Sequence, residues 1–176
     1  MTIEGKKIYL SSITYDDTDS IIEWRNKEFV REQFIYRELF TRDTHINWMK
    51  KMVETGKVIQ FIICLKENNK KIGSVYLRDI DAENRKCEFG IFIGEEDCIG
   101  CGYGREAAEL ICSYAFEKLG MYKVFLRVLS DNIRAQKSYK KSGFEVEGKS
   151  VADIWIDGRP IDVIFMAKFK ENKKQG

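Results

Sequence analysis

Three glycines at alternate positions, Gly100, Gly102 and Gly104, stand in the stretch Ile99-Gly100-Cys101-Gly102-Tyr103-Gly104-Arg105. An apolar run with the make-up of a strand, Cys87 to Ile93, precedes them, and a helix-forming run, Ala107 to Leu119, follows. A glycine-rich turn entering a helix aims several backbone N–H groups at one point, where the helix dipole adds partial positive charge. Glycine has no side chain, so a phosphate can approach the backbone closely. The spacing therefore predicts a phosphate-bearing ligand. It is not a P-loop, because Arg105-Glu106 follows Gly104 where Lys-Ser/Thr is required. It is not the dinucleotide fingerprint, which reads G-x-G-x-x-G and sits in a first βαβ unit.

A second cluster follows an apolar strand, Val124 to Leu129. Asp131 or Asn132 suits the N-cap of a short helix. Ala135 and Tyr139 are four apart and share one helix face. Gly143 suits the C-cap, and Phe144 starts the next strand. Glu88 is a charge inside the apolar run 87–93, either a working carboxylate or a residue on the polar face of its strand.

The elements that must position these residues are legible from patterning. Lys7 to Ile13 reads as a strand, and Thr14 caps a helix to about Asn26. Glu28 to Phe40 reads as an aromatic-rich loop, and a helix spans about Thr44 to Val53. Val58 to Leu65 and Lys71 to Ile80 form a hairpin across Glu67-Asn68-Asn69-Lys70, and Lys86 to Ile93 is the fourth strand. Val151 to Ile156 and Ile161 to Phe169 flank a second hairpin turn, Asp157-Gly158.

A chain of 176 residues with 44% hydrophobic content suits one domain, spanning 1–176. The longest apolar window falls short of the roughly 18 residues a membrane helix needs. A net charge of +2 with interspersed signs argues against a dedicated nucleic-acid binder. The basic tail, Lys168 to Lys174, is short and reads as a solvated end. The N-terminus lacks the pattern of a signal peptide, and the five cysteines are odd in number; both point to reduced thiols in the cytoplasm. Cys98 and Cys101 form one CxxC, too few ligands for structural zinc, so no metal is expected. Cys101, beside a helix N-terminus, is either an activated thiol or a small residue tolerated in a tight loop.

The two clusters together make the chain resemble the Gcn5-related N-acetyltransferases, the GNAT superfamily. The family's acetyl-CoA loop, Q/R-x-x-G-x-G/A, reads here Ile99-Gly100-Cys101-Gly102-Tyr103-Gly104. Its second block, N-x-x-A-x-x-x-Y-x-x-x-G-F, is met by Asn132, Ala135, Tyr139, Gly143 and Phe144. The resemblance runs from Lys7 to Phe169 and is strongest between Glu88 and Gly148. Ile99 departs from it, since the family has Gln or Arg there.

The resemblance implies an α/β (α+β) GNAT fold. That fold has a central, twisted, mostly antiparallel mixed sheet of about seven strands, with strands four and five splayed and about four helices flanking. It implies direct transfer of acetyl from acetyl-CoA, a cosubstrate, to a primary amine, with no metal. Tyr139 then protonates the departing thiolate, since a phenol of pKa about 10 matches an alkyl thiol. Glu88 then serves as general base through water. The backbone of Ile91, Phe92 and Ile93 pairs with the pantetheine amides, because splayed strands leave N–H and C=O groups unpaired. The N–H of Ile91 or Phe92 faces the developing oxyanion, and Gly90 marks a bulge that opens the gap. Ile99 to Arg105 holds the diphosphate, and Asn132 touches the pantetheine or caps its helix.

For the acceptor, Trp24-Arg25-Asn26 and His45-Ile46-Asn47-Trp48, with Cys87-Glu88-Phe89-Gly90, resemble acetyltransferases of nucleotide-linked amino sugars such as those of the pseudaminic acid pathway. The RimJ/RimL type, acting on protein N-termini, and spermidine acetyltransferases share the broader pattern. Trp24, Trp48, Phe34 and Tyr36 can stack on a base or sugar, Arg25 can meet a phosphate, and His45 completes the substrate side; the alternative is that the tryptophans are core. At pH 7 an alkyl amine of pKa about 10.4 is neutral in about one molecule in a few thousand, an α-amine of pKa about 8 in about one in ten. That tilts the reading toward an amino sugar or an N-terminus over a polyamine. The expected partner is a small-molecule amine, with no nucleic acid and no membrane, and with room for a homodimer. A non-catalytic acyl-CoA-binding module is the rival class.

Overall fold

The computed structural model describes residues 1–171; the end of the basic tail, residues 172–174, lies outside the described residues. Apolar β-branched runs build one sheet of eight strands: β1 (Thr2–Glu4), β2 (Ile8–Ser12), β3 (Ile59–Leu65), β4 (Lys71–Asp81), β5 (Lys86–Ile93), β6 (Lys123–Leu129), β7 (Glu145–Ile156) and β8 (Arg159–Phe169). Their order is β1-β2-β3-β4-β5-β6-β8-β7. Every pairing is antiparallel except β5 with β6. Five α-helices flank the sheet: α1 (Thr18–Asn26), α2 (Glu28–Arg31), α3 (Arg42–Trp48), α4 (Tyr103–Glu117) and α5 (Ile133–Lys141). This is the mixed, mostly antiparallel sheet that the sequence predicts, with β1 added at the edge. Among the described residues no helix is long and apolar enough to cross a membrane.

The central strands are buried on both faces, and their sequences show why. In β3, Gln60 to Leu65 are all buried, as a near-continuous apolar run requires. One face packs on α4, whose Ala107, Ala108, Ile111, Cys112 and Ala115 recur at helical spacing against Phe61, Val75, Leu77 and Val124. The other face, with Ile62, Cys64 and Phe92, packs on Ile21 and Trp24 of α1, Val30 of α2 and Met49 just beyond α3. Each such side chain contributes about 1.5–3 kcal/mol by leaving water.

Local chemistry sets several boundaries. Thr41 caps α3, its side chain accepting from the Thr44 N–H. The segment Met49–Val53 continues α3 as a wider π turn. The aromatic-rich stretch from Glu28, read from sequence as loop, opens with the single turn of α2. At the β7–β8 turn, Asp157 and Gly158 have φ of 51° and 72°, the left-handed pair of a tight hairpin.

The feature that positions the site is the parting of β5 and β6. They pair only at Lys86↔Lys123, Cys87↔Val124 and Glu88↔Phe125. Beyond Glu88 they diverge, while β5 keeps β4 as far as Gly73↔Ile93 and β6 keeps β8 as far as Leu129↔Val163. An aromatic wedge fills the space beside the parting: Phe89 lies 5.9 Å from Tyr139 and 5.6 Å from Phe144, centroid to centroid.

Gly90 does not open this gap. The β4–β5 register runs unbroken from Gly73↔Ile93 to Arg78↔Glu88, and the irregularity falls after Arg78, where Asp79 has a φ of 49°. The glycine is needed because the Tyr76 ring lies across it, where any Cβ would overlap the phenol. Gly90→Ala is therefore expected to cost about 1–3 kcal/mol by overpacking. In a Tyr76→Ala background that cost disappears, as a double-mutant cycle by urea unfolding will show; an undiminished cost would assign the glycine another reason.

Candidate active site

The parted strands enclose a groove of about 610 Å³. Gly90, Ile91, Phe92 and Ile93 form one wall, and Leu126 to Leu129 the other. On this side the peptide groups of Phe89 to Ile93 that point away from β4 have no strand partner. An extended ligand bearing amides satisfies such groups, as a third strand would.

The glycine turn closes one end of the groove. Ile99, Gly100, Gly102, Gly104 and Arg105 line it. Gly100 and Gly102 have φ of 81° and 88°, and a Cβ at either would meet nothing within 4 Å. The glycines thus serve a left-handed turn with open space in front of it. Gly102 is the N-cap of α4 and supplies no capping side chain, and Glu106 is the first residue whose N–H bonds back, to the Gly102 carbonyl at 3.1 Å. The N–H groups of Tyr103, Gly104 and Arg105 are left facing a site for an anion, at the positive end of a 15-residue helix. Cationic side chains of Arg105, Arg134, Lys137 and Lys141 line the same groove. These residues fit a diphosphate. Two neighbours in the turn do not present their side chains: the Cys101 thiol points outward, to the Asp97 and Ile99 carbonyls, and Tyr103 packs on the core. Neither lines the groove, a correction for their side chains.

Tyr139 faces the groove from α5, its ring edge-on to Phe89 and 6.0 Å from Phe144. Its hydroxyl makes no hydrogen bond among the described residues, and burial raises its pKa well above that of free phenol. It stays protonated throughout the neutral range. Asn132, at the N-cap of α5, accepts from the Ala135 N–H at 3.1 Å and also lines the groove. Capping accounts for its side-chain oxygen.

Glu88 is 4% exposed and lies where the strands begin to part. Arg78 donates to it from Nε at 3.1 Å and Nη2 at 3.0 Å. Arg127 donates from Nε at 3.1 Å and Nη2 at 3.3 Å. Burial pushes the carboxyl pKa up, but the two guanidiniums override it and hold the value below the ordinary one. A carboxylate so stabilised is a weaker base than an ordinary one, which weighs against the expectation that Glu88 takes the amine's proton. Sequence reasoning missed Arg78 and Arg127, and it missed Tyr76, whose half-buried phenol stands beside them. The signal was partial: Arg127 interrupts the apolar run of β6 and Glu88 is the one acid of β5, and buried charges must pair.

Of the aromatic and basic residues expected on the substrate side, Phe34 and Tyr36 line the groove and the others do not. Trp24 is core: its ring lies edge-on to Phe92 at 6.3 Å, and its Nε1 donates to Glu95 at 2.6 Å. Arg25 is 6% exposed, stacked 3.5 Å from the Phe34 ring centroid and 4.7 Å from Phe40. Burial lowers its pKa to about 10, so it remains cationic. His45 is 1% exposed, its Nδ1 3.2 Å from the Thr18 hydroxyl, and burial lowers its pKa so that it is neutral at pH 7. Trp48 donates from Nε1 to Gln60 at 3.2 Å. Trp24 and Trp48 thus tie α1 and α3 to the sheet, His45 ties α3 to α1, and Arg25 stacks on Phe34 and Phe40; none of the four lines the groove, which corrects their placement on the substrate side.

Comparison with known proteins bears on the family and the fold. The profile described as Acetyltransferase (GNAT) domain matches residues 7–145. An uncharacterized protein of Methanocaldococcus jannaschii is 30% identical over 87% of this chain, and the match spans 31% of that protein. The spermidine N(1)-acetyltransferase of Escherichia coli is 36% identical over 58% of this chain and 55% of its own length. The matched stretch is thus less than two thirds of either relative. The crystal structure of spermidine N-acetyltransferase from Vibrio cholerae, in complex with CoA and spermine, shares the fold with a TM-score of 0.87. It is 24% identical, covering 94% of this chain and 96% of that one.

The clamp on Glu88 makes a stability prediction. Glu88→Gln leaves two guanidiniums without their anion and is expected to cost about 3 kcal/mol at pH 7. The folded pKa lies below the unfolded value of about 4.3, so this contribution is full above that pH and fades as pH falls through the folded value. Urea midpoints of the two proteins should therefore draw together as pH falls below about 4.3, the unfolded value. A gap that stays constant would show that the charge of Glu88 is not what holds the cluster.

Proposed function

The chain belongs to the GNAT acetyltransferase family, and from that premise we propose that it works as one domain that moves an acetyl group from acetyl-CoA to a primary amine of a small molecule. The observation that carries this reading is the unpaired β5 backbone running from the glycine turn toward Tyr139. Acetyl-CoA supplies an acyl group activated as a thioester. The N–H groups of Tyr103 to Arg105, with the cations lining the groove, hold its diphosphate. The free peptide groups of Ile91 to Ile93 hold its pantetheine amides, and the N–H of Ile91 or Phe92 meets the carbonyl oxygen as it gains charge. Tyr139 keeps a proton on its hydroxyl oxygen and gives it to the sulfur as the C–S bond breaks. The attacking amine forms the C–N bond and gives up one proton to water, so the products are an amide and a free thiol. With Glu88 held as a carboxylate, deprotonation of the amine falls to solvent in the groove.

Two acceptor classes are in view. One is an amino sugar linked to a nucleotide, with Tyr36 and Phe34 as aromatic faces at the mouth of the groove. The other is a polyamine. It is favoured by the likeness to spermidine acetyltransferases and by a crevice at the outer rim lined by Glu28, Glu32, Glu95, Glu96 and Asp97.

Tyr139→Phe should lower kcat about 10-fold or more while leaving CoA affinity near the parent value. Steady-state thiol release and a CoA titration will check it, and unchanged turnover would remove the phenol from the reaction. Gly102→Val imposes a branched side chain on a left-handed φ in front of the anion site, so the KM for acetyl-CoA should rise about tenfold or more. An unaltered KM would mean that the diphosphate lies elsewhere.

A further inference from the structure

We propose that the acceptor carries an anionic group, a phosphate or a carboxylate, beside its amine, and that Arg78 and Arg127 bind it. This rests on the acetyl-transfer reading and names the acceptor's chemistry. Each guanidinium spends Nε and Nη2 on Glu88. Each is left with its Nη1 free of hydrogen bonds among the described residues, and both side chains line the groove. One carboxylate between two guanidiniums leaves a net positive charge inside the groove; Asp79, whose Oδ2 is 3.8 Å from Arg78 Nε, is exposed to solvent and does not line it. Arg25 deepens it from behind Phe34: its cation has no acidic partner, and its buried Nη1 has no hydrogen-bond partner among the described residues. Glu88 is the one acid among the residues that line this groove, and it is already shared. The phenols here, Tyr76 and Tyr139, are neutral.

The position separates this clamp from the diphosphate site. Glu88 and Ile93 are five residues apart on an extended strand, roughly 16 Å, and the glycine turn lies beyond Ile93. Gly90 is two residues from Glu88, roughly 7 Å, and Tyr76 lies across it. An amine whose anionic group sits on the two arginines can therefore reach the gap beside Tyr139. Glu88 acts as a positioning residue, fixing both guanidiniums with their free N–H groups available. A polyamine brings only positive charge to this floor, so the acidic rim would draw it to the mouth and not to the reacting end.

The test is calorimetric titration of the CoA-bound protein with matched amines: glucosamine 6-phosphate against glucosamine, β-alanine against propylamine, and spermidine. The two anionic arms separate phosphate from carboxylate. At least one anionic amine should bind about tenfold or more tightly than its neutral match, with an advantage that shrinks between about 50 and about 300 mM NaCl. Arg127→Gln and Arg78→Gln should each erase most of that advantage. The salt dependence of the parent protein stands as evidence even if a variant folds poorly. Spermidine binding more tightly than every anionic amine, or no preference within either pair, would overturn the clamp. The same solutions with acetyl-CoA report transfer. Anion binding without transfer from any amine would sink the reaction and leave the clamp, whereas spermidine binding with transfer would do the reverse.

Discussion

Two neighbouring strands that pair for three residues and then separate are the constraint from which the rest of this molecule follows. A sheet normally satisfies its own backbone, and here β5 beyond Glu88 does so on one side only. A buried peptide group without a partner costs about 1–3 kcal/mol, so such a gap persists only where something else supports it. The support is visible. Phe89, Tyr139 and Phe144 pack edge to face beside the parting, β4 holds β5 along its length, and β8 holds β6. The gap is thus a stable slot with free amides along one wall, and a ligand built of amides and phosphates complements it.

The charged cluster sits at the vertex of the same slot, and its electrostatics decide what each member can do. Desolvation alone would make Glu88 a stronger base, but two bidentate arginines reverse the sign. The carboxylate is then a fixed anion that organises cations, while burial keeps Tyr139 and Tyr76 protonated. Among the described residues the slot therefore presents proton donors and hydrogen-bond donors around a carboxylate whose basicity the arginines lower. That composition favours stabilising negative charge on oxygen and sulfur over extracting a proton from an ammonium.

How much of this could be read from sequence follows the range of the interactions. The glycine turn, the Asn132 cap, the Asp157-Gly158 hairpin and the helix-facing stripe of α4 are local, and residues a few positions apart specify them. The roles of Trp24, Arg25, His45 and Trp48 were not legible, because a motif shows which residues share a helix face but not whether that face meets a groove or a sheet. Trp24 meets Phe92, and Arg25 meets Phe34; neither contact has a local signature. Gly90 was read as a bulge because strand glycines often mark one, yet its reason is a ring from the neighbouring strand. Arg78, Glu88 and Arg127 come from three strands, and only their register brings them together. Arg127 and Glu88, each set in an apolar run, could still have been read as a pair, since a buried charge is costly alone.

The most direct test is a crystal structure with coenzyme A bound. The diphosphate oxygens should lie about 3 Å from the N–H groups at the start of α4, with the pantetheine paired to Ile91–Ile93 and the sulfur within reach of the Tyr139 hydroxyl. Coenzyme A seated outside the gap, or a sulfur remote from that phenol, would contradict the account.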